Sequence, residues 1–209
     1  MKRLYITCLG LLLTMAASSQ AATPGSWEVK IRAAYLQTAD KSDPFTALEI
    51  DFPKNAISVE DKWIPELDVT YAFTENLLAE LVLTLPQKHD VTLAGVGDIG
   101  YLEHLPPTLS LVYEFDTNSP FTPYVTAGVN FTYIIKDRLT VADIDLDLDE
   151  WSVGLALGAG FAYRLDEKWD LDVSVKWIDL NSDVKAPGAT LTNAQLDPYL
   201  YSIGAVYKF

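Results

Sequence analysis

The densest run of ligand-type side chains is Asp143, Asp145, Asp147 and Asp149, alternating with Ile144, Leu146 and Leu148. In an extended segment that spacing sets four carboxylates on one face, and oxygen ligands in such number suit Ca²⁺. The spacing of an EF-hand loop and its turn glycine are missing, so the run reads first as a solvated extension of its flanking strands. His89 and His104 flank another irregular stretch and would meet if it folded back on itself, but no third ligand accompanies them and no metal site is expected. His104 and Ser110 are the pair that hydrolysis would use. Six residues apart on a strand, they share a face but stand roughly 20 Å from each other. No G-x-S-x-G elbow is present either. Neither catalysis nor a cofactor is therefore expected.

The elements that position these residues begin after an export signal. Lys2 and Arg3 precede an apolar run from Leu4 to Met15, and Ser19 and Ala21 fit the small-x-small cleavage pattern. Residues 1–21 read as a signal peptide, and residues 22–209 as the mature domain. The apolar run is shorter than the roughly 18 residues a spanning helix needs. Cleavage removes Cys8, the only cysteine, so the mature chain has no disulfide and no thiolate. It also moves the formal net charge from −14 to −16, because the signal holds two cations and no acid. So acidic a chain is a poor partner for nucleic acid.

The mature chain repeats segments of about ten residues with apolar side chains at every second position, the period of a strand with one greasy and one polar face. Trp27–Tyr35 sets Trp27, Val29, Ile31 and Ala33 against Glu28, Lys30 and Arg32. Seven more follow, at Trp63–Phe73, Leu77–Leu85, Leu105–Phe115, Tyr124–Ile135, Trp151–Leu165, Trp169–Trp177 and Tyr199–Phe209. Connections alternate between turns of about three to five residues and loops of about fifteen to twenty-five, as in bacterial barrels with short periplasmic turns and long external loops. With the N-terminus in the periplasm, Trp27, Tyr71, Tyr113, Tyr163, Trp169 and Tyr207 fall near one interface. Tyr35, Trp63, Tyr133, Trp151, Trp177 and Tyr199 fall near the other. These are two aromatic girdles. A soluble β-sandwich has no reason to sort all five tryptophans to strand ends. The expected fold is an all-β, transmembrane, eight-stranded antiparallel up-and-down barrel in the cell outer membrane.

Continuing the alternation inward divides the interior by height. The lower half is a charged floor that includes Arg32, Asp68, Glu80, Arg164 and Lys176. Charges buried together must pair, so this half reads as a plug rather than a water channel. The upper half gathers Leu36, Ile64, Val82, Pro106, Ile134, Ile178, Leu196 and Leu200, an apolar funnel suited to a small hydrophobic ligand. Pro65, Pro106 and Pro107 lack donors and either loosen strand pairing beside it or mark strand ends.

Several blocks resemble the outer membrane protein W family. They are His104-Leu105-Pro106-Pro107-Thr108-Leu109, the stretch from Pro123 to Asn130, Pro86-Gln87-Lys88-His89-Asp90 and Asp197-Pro198 before the last strand. The resemblance covers essentially the whole mature chain. It implies an eight-stranded barrel that lets small, mostly hydrophobic molecules cross the outer membrane. Gln87 stands where the family often has Phe, which weakens any aromatic gate on the second loop, and Thr126 stands where it often has Gly. The expected function is porin-like passive uptake through the apolar funnel, with lateral release into the bilayer. A structural or adhesive barrel acting through its acidic loops remains the alternative, and an enzyme acting on lipid A is a more distant one. Expected partners are outer-membrane lipids, lipopolysaccharide (whose phosphates divalent ions would bridge to Asp143, Asp145, Asp147 and Asp149), small hydrophobic solutes, and the barrel-assembly machinery. The last would read terminal Phe209 and the alternation of Tyr207, Ala205 and Ile203 before it.

Overall fold

The structure, a computed structural model, describes residues 22–47 and 49–209, so the expected signal peptide lies outside the described residues. The first strands are β1 (Trp27–Gln37), β2 (Lys41–Ser42), β3 (Phe45–Ala47), β4 (Ile50–Phe52), β5 (Ile57–Val59), β6 (Lys62–Ala72), β7 (Leu77–Thr84), β8 (Gln87–Leu93) and β9 (Gly97–Leu105). After them come β10 (Thr108–Glu114), β11 (Phe121–Val141), β12 (Ile144–Leu148), β13 (Trp151–Arg164), β14 (Trp169–Ile178), β15 (Asn181–Ala186), β16 (Ala189–Gln195) and β17 (Tyr199–Lys208).

Eight of these close the barrel in the order β1–β6–β7–β10–β11–β13–β14–β17, all antiparallel, and β17 returns to β1 through Glu28↔Lys208 to Gln37↔Tyr199. Closure satisfies backbone groups that lipid cannot. In β1 the alternation sends Glu28, Lys30, Arg32, Ala34 and Leu36 inward to buried positions, while Ile31 is exposed on the outside. Side chains cap the short turns. Thr74 Oγ1 accepts from Leu77 N at 2.9 Å, and Asp166 Oδ1 accepts from Lys168 N and Trp169 N at 2.8 Å. Phe209 N donates to Trp27 O at 3.0 Å at the seam. Both girdles form, with Trp27 on Tyr71 at 4.8 Å and Trp169 on Tyr207 at 4.9 Å at one end. At the other, Tyr133 lies on Trp151 at 4.7 Å and Tyr35 on Trp63 at 5.4 Å.

The segments expected as long loops are largely β-structure, which is the main departure from the sequence reading. β11 runs on to Val141, and β12 folds back on it through Leu139↔Leu146. β8 and β9 form a hairpin that β5 joins at one edge and β11 at the other. β15 and β16 form a second hairpin between β12 and β2. Together they raise a second tier above the outer girdle. The inward positions of β8 are Gln87, His89, Val91 and Leu93, and those of β9 include Ile99 and Leu102. Their period of two is genuine but sits in short runs broken by Asp, Thr and Gly, which resemble turns in sequence. The Asp143–Asp149 run is the extension its alternation suggested, with Leu146 buried and Asp145 and Asp147 exposed.

Pro106 and Pro107 split the expected Leu105–Phe115 strand into β9 and β10. Across the same height the β6–β7 ladder ends at Glu66↔Thr84, and β8 resumes at Gln87 with β9 rather than β6 as its neighbour. The wall therefore has a break in its backbone ladder between Trp63–Pro65, Leu85–Pro86 and Pro106–Pro107.

Candidate functional site

The interior is layered. Arg32 occupies the centre of the barrel and is 3 % exposed. Its Nη2 pairs with Glu66 Oε1 at 2.5 Å, with Asp68, and with Glu80 at 3.9 Å, while Nη1 reaches Asp172 Oδ1 at 3.0 Å. Lys30 binds Glu80 at 2.8 Å and Lys176 lies 3.5 Å from it. Tyr124 donates its hydroxyl to Asp172 Oδ2 at 2.8 Å. These strands bring the groups together because each presents an inward position at one height: Arg32 pairs with Glu66 on β6 and with Gly204 on β17. Gly204 makes room for the stem of the Arg32 side chain, since a Cβ there would lie 2.7 Å from Arg32 Cγ. Three cations thus face four carboxylates in one buried network.

Four of the five expected floor residues, Arg32, Asp68, Glu80 and Lys176, belong to this plug. Arg164 does not. It lies at the lower end of β13 opposite Asp170 and lines a polar mouth of about 450 Å³ with Glu114, Asp170 and Lys208. The alternation gives the side of the wall but not the height to within one pair, and Arg164 is one pair too low.

Above the plug is a small apolar chamber of about 30 Å³, lined by Leu36, Ile64, Val82, Pro106, Ile178, Leu196 and Leu200 among others. Seven of the eight expected path residues therefore converge. Ile134 is the exception: it is buried but belongs to neither chamber lining. It keeps its inward parity and pairs with His104, and the register of β11 against β9 shifts just past it, between Ile134 and Lys136.

The larger chamber stands one tier higher, about 230 Å³ in volume, lined by residues that include Phe45, Phe52, Ile57, Val91, Leu93, Leu139, Leu146, Val184 and Leu191. Its residues form the largest buried apolar cluster of the described chain. Sequence reasoning missed it because its residues come from the segments read as loops. The alternation of His89, Val91 and Leu93 with Lys88, Asp90 and Thr92 was the available signal. Val59, Leu102 and Leu196 line both chambers and form the collar between them.

His89 and His104 do meet. Their rings stack with centroids 5.0 Å apart and planes within 6°, and both line the lower chamber. His89 Nδ1 lies 2.8 Å from Glu60 O, and because a carbonyl only accepts, Nδ1 carries the proton. Burial pushes the His89 imidazole below its usual range, so it is neutral at pH 7. Among the described residues no group of three or more metal-ligating side chains forms around them. Ser110 sits a tier lower, paired with Glu80 and Gly128, so His104 and Ser110 do not form a nucleophile–base pair.

A model of the OmpW family matches residues 23–209. The outer-membrane protein y4mB of Sinorhizobium fredii is 35 % identical over 199 residues, covering 93 % of this chain and 84 % of the relative. Outer membrane protein W of Vibrio cholerae is 32 % identical over 222 residues, covering 97 % and 99 %. The crystal structure of OprG from Pseudomonas aeruginosa superposes with a TM-score of 0.77 at 28 % identity, covering 91 % of this chain and 98 % of that one.

Proposed function

The chain belongs to the OmpW family and is an outer-membrane barrel, and on that premise we propose that it carries small hydrophobic molecules passively inward from the cell surface. The observation that supports this most is the vertical order of the interior: an apolar chamber of about 230 Å³, a smaller apolar chamber beneath it, then an ion-paired plug. An apolar solute gains by leaving water for the chambers and gains nothing by crossing paired charges.

Its exit is sideways. The lower chamber abuts the break in the ladder, where Ile64, Thr84 and Pro106 line it and prolines remove donors from both edges. Strands separate most easily where the wall has no hydrogen bonds to break, and lipid lies outside it. Gln87, whose Nε2 donates to Leu85 O at 2.7 Å, folds back along the Leu85–Pro86 edge of this break.

Ile64→Asp with Val82→Asp tests the route. A carboxylate in the lower chamber should cut protein-dependent uptake of an apolar solute into liposomes about tenfold, given a cost of roughly 1–3 kcal/mol for a poorly satisfied polar group. Ile64 lies one inward position above Glu66, and Val82 stands at the upper edge of the plug, opposite Asp68, so heat-resistant migration of the folded barrel is measured beside uptake. Unchanged uptake by the folded variant overturns the route.

A further inference from the structure

We propose that His89 is a hydrogen-bond acceptor for solutes that carry a single hydroxyl on an apolar body, so that the pore favours monohydroxylated compounds over their hydrocarbon parents. The proposal rests on the uptake reading and narrows its substrate class.

His89 is 0 % exposed, and its Nδ1 is committed to donating to Glu60 O. The neutral ring therefore leaves a bare lone pair on Nε2. That atom is fully buried without a hydrogen-bond partner, on a ring that lines the lower chamber. Thr84 Oγ1, on the same lining, is likewise buried without a partner. An unmet buried acceptor and an unmet buried hydroxyl on one lining each match an O–H group, which donates once and accepts once.

Size agrees with chemistry. The lower chamber, about 30 Å³, has room for a group the size of a hydroxyl or a water and not for an apolar body. The upper chamber, about 230 Å³, takes a body of several carbon–carbon units or two fused rings. Through the collar of Val59, Leu102 and Leu196, a solute would stand with its body above and its hydroxyl below. His104 stacks flat on His89 and holds the ring plane in place.

Naphthalene and 2-naphthol are probes of nearly equal shape that differ by one hydroxyl. In micelles, their affinities for the full barrel are compared with those for His89→Leu and His89→Gln, and taking ratios cancels partition into detergent. The expected result is a 2-naphthol preference about fivefold to tenfold greater in the native protein than in His89→Leu. Naphthalene affinity in each protein is the reference for that ratio, and His89→Gln should recover some of the preference because its amide oxygen accepts. The imidazole ¹⁵N resonance of Nε2 should shift with 2-naphthol and not with naphthalene, a readout that needs no variant to fold. Equal preference in all three proteins, or an unmoved Nε2 resonance on saturation, overturns the proposal and leaves the uptake reading intact. Failure of both probes to bind overturns the apolar-chamber reading, and this one with it.

Discussion

Arg32 meets Glu66, Asp68, Glu80 and Asp172 from one buried guanidinium, and this single side chain decides whether the plug is a closed network or a cluster of repelling acids. A planar, always-charged fork suits four carboxylates arranged around it, which a lysine point charge would not. Arg32→Met should destabilise the barrel by about 3–5 kcal/mol, the usual consequence of leaving buried partners uncompensated. The urea midpoint of the barrel in lipid vesicles, compared with that of the native chain, measures it. The parity of β1, with Arg32 on the face of Lys30 and opposite Ile31, was legible in sequence. Which acids Arg32 would touch was not, because they come from β6, β7 and β14 and depend on four registers at once.

Among elements, β1 and β17 pack closely because Gly204 lies opposite Arg32. A Cβ at that position would lie 2.1 Å from Ile31 O and 2.6 Å from Arg32 Cα, so the strands would have to move apart. Gly204→Ala is expected to cost about 1–3 kcal/mol in the same urea assay, as overpacking of a filled interior does. Gly160 has a related role beneath Tyr124, whose ring would lie 2.6 Å from an added Cβ. The strand count, the short turns and the girdles were legible because lipid on one side and a filled interior on the other impose strict alternation over ten residues. The hairpins β8–β9 and β15–β16 were hidden because they stand in water and need only one apolar face, carried on runs of six to nine residues.

For the molecule as a whole, the tier above the outer girdle and the barrel below it are separable in energetic terms. The barrel closes through ladders of its own eight strands, while the tier is held by the apolar cluster of the upper chamber and by rim contacts such as the Asp149–Lys185 ion pair. Replacing residues 181–195 by a short turn should therefore leave a folded, heat-modifiable barrel. It should abolish saturable binding of naphthalene, since Val184, Ala186, Leu191 and Ala194 are lost from the chamber wall. Retained binding would place the solute site within the barrel proper.

The four alternating aspartates mark the solvent face of the tier, and the two histidines stack at the junction of its chambers. From sequence alone, period-two alternation, aromatic placement and loop asymmetry determined the compartment, the strand number and the face of each side chain, because these depend on near neighbours and on the solvent each face meets. Tertiary structure decided which charges pair, that the ladder breaks between Glu66 and Gln87, and that the outer connections rise to enclose an apolar chamber. Each of these rests on contacts between residues tens to more than a hundred positions apart, such as Arg32 with Asp172, or on distant residues such as Phe45 and Leu191 lining one chamber. Such contacts are set by strand register and shear around a closed sheet, to which no local pattern in the chain is sensitive.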